Sequence, residues 1–309
     1  MKSFVSFGSI GQFRNAIKHV RYTGENPIIQ AHGTVKLHGT NASVCFSKQD
    51  GLWAQSRNNI ITVENDNAGF ARFVEDRKDV FETMLTTGGD DTVTIFGEWC
   101  GGSIQKGVAI NQLDKMFVIF ALKCGDVWLN HTPYRYPAKG VYNIDDFPTF
   151  DIDINFERPE LAQNEIVKMV EQVETECPVA KHFGVSGVGE GIVFTLICRG
   201  ETLRFKAKGE KHSVSKVTKI AEVDTEKLDS IHKFVEYAVT ENRMEQGYDE
   251  VEASDMEHTG KFLSWIVKDI IKEESDTLAD SGLEQKEVNK YISTKARIWF
   301  FARINKDIK

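Results

Sequence analysis

Cysteine and proline are both scarce in this 309-residue chain, and each scarcity excludes something. The five cysteines (Cys45, Cys100, Cys124, Cys177 and Cys198) are odd in number and contain no Cys-x-x-Cys pair. Neither a disulfide framework nor a cysteine zinc site is expected, and the compartment that fits is reducing and intracellular, the cytoplasm. No run of about 18 apolar residues occurs, and the first residues lack a basic-then-apolar leader, so neither a membrane span nor an export signal is expected. There is no Gly-x-x-x-x-Gly-Lys-Ser/Thr; Gly101-Gly102-Ser103-Ile104-Gln105-Lys106-Gly107 lacks that pattern, which argues against a phosphate-binding loop of the kinase type. Gly187-Val188-Gly189-Glu190-Gly191 leads into a strand-like run instead of a helix, which excludes a dinucleotide-binding turn. Positive charge is short overall: the formal net charge is −8. That excludes a uniformly basic nucleic-acid coat but not a local basic channel, because binding answers to the local field.

What is present describes a globular chain long enough for two domains, with 41% hydrophobic and 27% charged residues. Phe13, Ile17 and Val20 have helical spacing. From residue 31 to about 125 strands dominate. Val44-Cys45-Phe46 and Leu52-Trp53-Ala54 flank a Gln49-Asp50-Gly51 turn, and Thr92–Phe96 and Met116–Leu122 read as buried strands. Between them, residues 68–86 carry apolar side chains at helix-like spacings. Residues 125–160 hold four of the six prolines and read as loops with short pieces of structure. Ile166, Met169, Val170 and Val173 mark an amphipathic helix, and Gly191–Ile197 with Leu203–Phe205 a hairpin through Arg199-Gly200. Past residue 215 proline is absent and helical patterns take over, as in Ile231, Phe234, Val235 and Ala238, then Phe262, Leu263, Ile266, Val267, Ile270 and Ile271. The expected fold class is α+β: an antiparallel α+β domain over residues 1–215, followed by a mainly helical domain over 216–309.

Chemistry concentrates in Lys36-Leu37-His38-Gly39-Thr40-Asn41, a primary amine beside a glycine just ahead of a strand. A lysine amine, with a reference value of roughly 10.4, must lose its proton before it can act as a nucleophile. Nearby cations or desolvation achieve this. Lys206 and Lys208, two apart on a strand, share one face and are the candidate cations. Glu98 ends a buried strand, and Glu190 sits between two glycines at the start of another. Acids so placed can orient a ribose hydroxyl or position a hydrated Mg²⁺. Arg57, after the first hairpin, can hold a phosphate bidentately. Phe117 and Phe120 are ordinary core residues or a stacking platform for a base; being an odd number apart, they face opposite sides of a regular strand, so only one can stack.

The ordered set Lys36-Leu-His-Gly-Thr-Asn41, Ser56-Arg57, Phe96-Gly-Glu98, Phe117-Val-Ile-Phe120, Glu190-Gly-Ile-Val and Phe205-Lys206-Ala-Lys208 resembles the motif series of covalent nucleotidyltransferases. These comprise DNA ligases, RNA ligases and mRNA capping enzymes, whose nucleotidyltransferase domain has an ATP-grasp-like two-sheet architecture. His38, where DNA ligases and capping enzymes carry Asp, and the Thr-Asn that follows are most similar to the nick-sealing RNA ligase 2-like branch. The resemblance covers roughly residues 30–210. It implies an adenylyltransferase domain over residues 1–215 and an ATP-dependent enzyme that joins 3′-hydroxyl and 5′-phosphate RNA ends through lysyl-AMP. Lys36 would be the nucleophile; Glu190 the metal-associated acid, with Mg²⁺ or Mn²⁺; Lys206 and Lys208 the phosphate-handling pair; Glu98 the ribose contact; Phe120 the adenine platform. Val35, Gly39, Asn41 and Arg57 would complete the nucleotide site. The implied partners are ATP and RNA, without a membrane, and the expected state is a monomer. A DNA ligase, a capping-type guanylyltransferase and a catalytically silent end-binding module on the same fold are the alternatives. Two departures stand out: Ala121 follows the aromatic where an acid is common, and the C-terminal segment does not read as the five-stranded barrel of DNA ligases. Arg199–Lys219 and Lys286–Lys309 each hold seven basic residues against two acids. They are either amphipathic elements or parts of a phosphate-tracking surface.

Overall fold

A computed structural model describes residues 2–22, 26–86, 89–135, 138–209 and 224–307. Two compact units result, one of Met1–Lys18 with Pro27–Ala221 and one of His19–Asn26 with Glu222–Lys309. The expected boundary at 215/216 lies outside the described residues, as do Lys211, Lys216 and Lys219 of the first basic stretch.

In chain order the elements up to residue 208 are β1 (Gly11–Gln12), α1 (Phe13–Arg21), β2 (Ile28–Val35), β3 (Thr40–Ser47), β4 (Gly51–Ser56), β5 (Ile60–Ile61), α2 (Phe70–Glu75), α3 (Lys78–Leu85), β6 (Val93–Cys100), β7 (Met116–Cys124), β8 (Val127–Leu129), β9 (Val141–Asn143), β10 (Thr149–Asn155), α4 (Pro159–Thr175), α5 (Pro178–His182), β11 (Gly191–Cys198) and β12 (Glu201–Lys208). They build two sheets, ordered β1-β12-β11-β2-β10 and β5-β4-β3-β6-β7-β8, with β9 added to β7. Pairing is antiparallel except for β1 with β12 and β9 with β7. The α+β expectation therefore holds, and both hairpins form where their turns were read. In the second hairpin Arg199 (φ 52°) and Gly200 (φ 79°) are both left-handed, the geometry that matches strand twist in a two-residue loop.

The helix-like spacing over 68–86 is borne out, and the proline-rich 125–160 stretch differs from its reading as loops with short pieces of structure. The apolar pattern over 68–86 forms two short helices, with the Asp66 carboxylate accepting from the Ala71 and Arg72 amides at 2.7 and 3.0 Å at the start of α2. Within the proline-rich 125–160 stretch, β10 is a seven-residue strand that pairs along most of β2. Its Asp151 and Asp153 alternate with buried Ile152 and Ile154, so one face is acidic and solvated while the other joins the core.

Each sheet has a helix-covered face. α2 and α3 bury Phe70, Phe73, Phe81 and Leu85 against Ile95, Trp99, Phe117 and Ile119. α4 begins with Pro159 at its first turn, where no amide partner is needed, and packs on β10, β11 and β12 through a stripe that includes Ile166, Val170 and Val173.

The second unit is helical: α6 (Thr225–Ala238), α7 (Glu241–Glu250), α8 (Thr259–Glu273), α9 (Ser275–Asp280) and α10 (Gln285–Asp307). Asp224 and Thr240 cap α6 and α7 through side-chain oxygens that accept from the Lys227 and Arg243 amides. Phe262, Ile266 and Ile270 of α8 pack with Val288, Ile292, Ala296 and Phe300 of α10, each row repeating about every four residues. Much of the C-terminal basic stretch lies on α10, where Lys295 pairs with Glu236 at 2.8 Å and Arg303 with Glu245 at 3.3 Å. The acidic run 236–257 thus neutralises part of it. No helix among the described residues is long and apolar enough to cross a membrane.

Candidate active site

Strand pairing brings the nucleophile candidate to its acid. β2 and β11 are antiparallel neighbours with Val35 opposite Ile192, and the Lys36 amide donates to the Gly191 carbonyl at 2.8 Å. Lys36 and Glu190, 154 residues apart in sequence, therefore leave the sheet at the same end. Gly191 pairs with Lys208 on the other side, so Lys208 reaches the same point. A side chain at Gly191 (φ 146°) would run into the Ala207 carbonyl oxygen and lie 3.0 Å from the Lys208 Cα, so only glycine permits this approach.

Glu190 is the hub. Its carboxylate is 2% exposed and takes the Lys36 amine on one oxygen and the Lys208 amine on the other, each at 2.6 Å. His38 Nδ1 lies 3.3 Å from the oxygen that Lys36 uses. Burial by itself would raise the Glu190 pKa; the hydrogen bond with His38, the charge of Lys36 and the hydrogen bonds of Lys208 and Lys36 outweigh it and hold the carboxyl at about 2. Glu190 is a fixed anion under all ordinary conditions.

The other sheet supplies Glu98, cross-strand partner of Asn41. Its Oε1 accepts from the Gly39 amide at 2.9 Å. Burial pushes its carboxyl up to about 7, helped by the charge of Glu190 and opposed by Lys36, the Gly39 amide and His38. Two carboxyls in one site are thus driven far apart, one always ionised and one titrating near neutrality. Gly39 has a structural reason distinct from loop flexibility: a Cβ there would meet the Trp99 carbonyl oxygen and lie 2.7 Å from Cys100 Cβ. The glycine lets the segment between β2 and β3 lie against β6, which is what brings its amide to Glu98.

Lys206 and Lys208 are both half-buried and share one face of β12, while Phe205 and Ala207 are buried on the other. Lys206 pairs through its main chain with Gln12 and Val193, and its side chain makes no hydrogen bond or ion pair among the described residues. Its pKa is lowered by burial first and then by the charges of Lys208, Lys36 and Arg57. Arg57 is exposed just past β4, within electrostatic reach of that group. Val35 is buried opposite Ile192, so its part is to end the strand on Lys36.

The two phenylalanines lie on opposite faces of the sheet, as their odd spacing requires, and a bulge follows between them and Ala121. The β6–β7 register steps from Phe96↔Ala121 to Gly97↔Ile119, leaving Phe120 as the extra residue. Phe117, Ile119 and Leu122 lie in the helix-covered core, whereas the adjacent residues Phe120 and Ala121 both lie with Phe96 on the other face. Glu98, two residues from Phe96 on β6, shares that face. Phe117 is fully buried under α2 and α3, and Phe120 is the ring on the Glu98 side.

His38 is the residue that sequence reasoning used only as a mark of resemblance. Its position two residues beyond Lys36 was the available signal, since alternate residues of an extended segment share a side. Among the described residues no cluster of three or more His, Cys, Asp or Glu is arranged to hold a metal ion. Glu190 and half-buried Glu98 suit instead a hydrated Mg²⁺ or Mn²⁺ that brings phosphate oxygens as further ligands and needs only one or two carboxylates.

The sequence profile of the RNA ligase family matches residues 30–297, so the match runs through the helical unit as well as the two sheets. No curated protein matches the chain. Among solved structures, an RNA ligase of Naegleria gruberi with pyrophosphate is 20% identical with a TM-score of 0.45, covering 68% of this chain and 57% of that one. A mutant of the same ligase with ATP and Mn is 19% identical with a TM-score of 0.44, at 67% and 57% coverage. An archaeal ATP-dependent RNA ligase is 13% identical with a TM-score of 0.43, covering 98% of this chain and 66% of that one. The chain thus spans just over half the length of the Naegleria enzyme.

Proposed function

The chain belongs to the RNA ligase family, and on that premise we propose that it joins a 3′-hydroxyl to a 5′-phosphate of RNA, using ATP through a lysyl-AMP intermediate on Lys36. The observation that carries this reading is the pair of amines, Lys36 and Lys208, on the two oxygens of buried Glu190. Nζ of Lys36 attacks the α-phosphorus of ATP; a P–N bond forms, the bond to the bridging oxygen breaks, pyrophosphate leaves and the amine releases a proton. An oxygen of the RNA 5′-phosphate then attacks the same phosphorus, breaks the P–N bond and returns the lysine amine, which takes up a proton. Last, the 3′-hydroxyl attacks the activated 5′-phosphorus, loses its proton and expels AMP.

Within that sequence Lys206 and Lys208 neutralise the phosphate oxygens, and Lys206, whose side chain makes no hydrogen bond or ion pair among the described residues, is the cation ready to do so. Glu98 and Asn41 face the nucleotide from the other sheet, with Phe120 beneath the base and Arg57 at the phosphate or the ends being joined. A divalent cation accompanying the phosphates would be held through Glu190 and supply charge neutralisation at the reacting phosphorus. The protein is expected to act as a monomer in the reducing cytoplasm.

Intact mass tests the reading. Protein stripped with pyrophosphate should gain the mass of one AMP on addition of ATP and Mg²⁺, and Lys36→Ala, folded by circular dichroism, should not. An adduct on Lys36→Ala would put the nucleophile elsewhere. A gain of GMP from GTP would move the enzyme to the capping class, and no gain with any nucleotide would make it a binding module.

A further inference from the structure

Phe120 has a neighbour that no nucleotidyltransferase motif supplies. Phe7 is 8% exposed, and its ring lies edge-on to Phe120 at 5.2 Å, with Phe96 also at 5.2 Å and Trp128 at 5.5 Å. Those three belong to β7, β6 and β8 of one sheet. From the other sheet, the Arg204 guanidinium of β12 stands over the Phe7 ring at 5.4 Å and over Trp128 at 4.8 Å. Phe7 is thus wedged between the two sheets at the ring proposed to carry the base.

The segment bearing Phe7 is tied down on both sides. Gln55 of β4 is fully buried, and its amide treats Val5 as a strand would: Oε1 accepts from the Val5 amide and Nε2 donates to the Val5 carbonyl, each at 2.9 Å. Ser43 Oγ and Trp53 Nε1 hold the Gln55 amide in place at 2.9 and 3.3 Å. Seven residues later, β1 pairs with β12, placing Gln12 opposite Lys206. Residues 5–12 therefore run from a buried glutamine in one sheet, past Phe120, to the strand that carries Lys206 and Lys208 in the other. A buried side-chain amide with every polar group satisfied costs little to keep and much to disturb, so the anchor is specific.

We infer that Val5–Gln12 is a strap across the two sheets that sets one end of the nucleotide site, with Phe7 and Gln55 as positioning residues that hold Phe120 against the base and fix the spacing between Phe120 and Lys206. This rests on the proposal that Phe120 and Lys206 face ATP. Neither Phe7 nor Gln55 touches the reacting atoms, so their loss should weaken nucleotide capture while leaving the attack by Lys36 intact.

The experiment measures the rate of AMP-adduct formation against ATP concentration, on pyrophosphate-stripped full-length protein, for wild type, Phe7→Ala, Phe7→Leu, Gln55→Met and a control, Phe81→Ala. Phe81 is buried on the helix-covered face, away from the strap, and reports the effect of lost stability alone. Half-saturating ATP should rise about fivefold or more in Phe7→Ala and Gln55→Met, in line with the loss of a ring contact of this type. The maximal rate should stay within about twofold, Phe7→Leu should recover most of the loss, and Phe81→Ala should not move half-saturation. Wild-type half-saturation in Phe7→Ala and Gln55→Met, or an equal rise in Phe81→Ala, would overturn the inference while leaving the ligase reading standing. Should Phe7→Ala not fold, Gln55→Met and Phe7→Leu decide by the same criterion. No adduct on wild type would overturn the ligase reading and the strap's role with it.

Discussion

Glu190→Gln removes the negative charge shared by Lys36, Lys208 and His38, and its cost can be worked from the structure. The wild-type carboxyl is held at about 2 against an ordinary value of 4.5, although burial opposes ionisation. At ~1.36 kcal/mol for each tenfold change in proton affinity, that difference stabilises the folded unit by about 3 kcal/mol at neutral pH. A depressed carboxyl contributes fully above its unfolded value, and the contribution is lost as pH falls from about 4.5 towards about 2. The deficit expected at pH 7 is therefore about 3 kcal/mol, the order expected for a broken buried ion pair. Urea unfolding followed by tryptophan fluorescence suits the measurement, because Trp53 and Trp99 are both buried in the two-sheet unit. The variant should unfold at lower urea at pH 7, and the gap to wild type should narrow at pH 4 and again at pH 3. Equal stability at pH 7 would refute the argument, as would a deficit that stays constant down to pH 3. The same protein should form no lysyl-AMP, since Lys36 and Lys208 lose the carboxylate that positions both amines and that would hold the divalent cation.

Gly39→Ala should lower the melting temperature, because its methyl group meets the Trp99 carbonyl and Cys100; overpacking of this kind costs about 1–3 kcal/mol, and an unchanged midpoint in differential scanning fluorimetry would contradict the close approach. His32 should titrate at about 9 by NMR, its hydrogen bond to Asp145 and then that to Asp151 outweighing burial. A raised histidine stabilises below its unfolded value of about 6.5 and loses that effect as pH rises through about 9, so His32→Ala should be less stable than wild type at pH 6 and equal to it at pH 10. A deficit that persists at pH 10 would assign His32 a packing role instead.

Local rules carried much of the fold. Gln49-Asp50-Gly51 and Arg199-Gly200 are turns whichever strands they join, and a period of two puts Lys206 and Lys208 on one face without reference to anything distant. Four-residue spacing is likewise enough to make α8 a helix. The acid-rich β10 escaped notice because Asp151 and Asp153 are poor strand formers when taken alone; only the hydrogen bonds offered by β2 make them a strand.

By itself the sequence determined the antiparallel α+β character and the helical C-terminal part, and it marked the candidate residues, because these follow from periodicity, turn chemistry and an ordered set of short motifs. Tertiary structure decided which of those residues meet. Lys36, Glu190 and Lys208 converge through the register of three strands, and register is a relation between segments that none of them encodes alone. A single extra residue in β7 turned Phe120 and Ala121 to the same face. Regular alternation would have placed Ala121 with Phe117, and the bulge exists only because β6 pairs on both sides of it. His38 became a partner of Glu190, and Gln55 an anchor for Val5, for the same reason: a buried polar group is defined by what the rest of the chain folds against it.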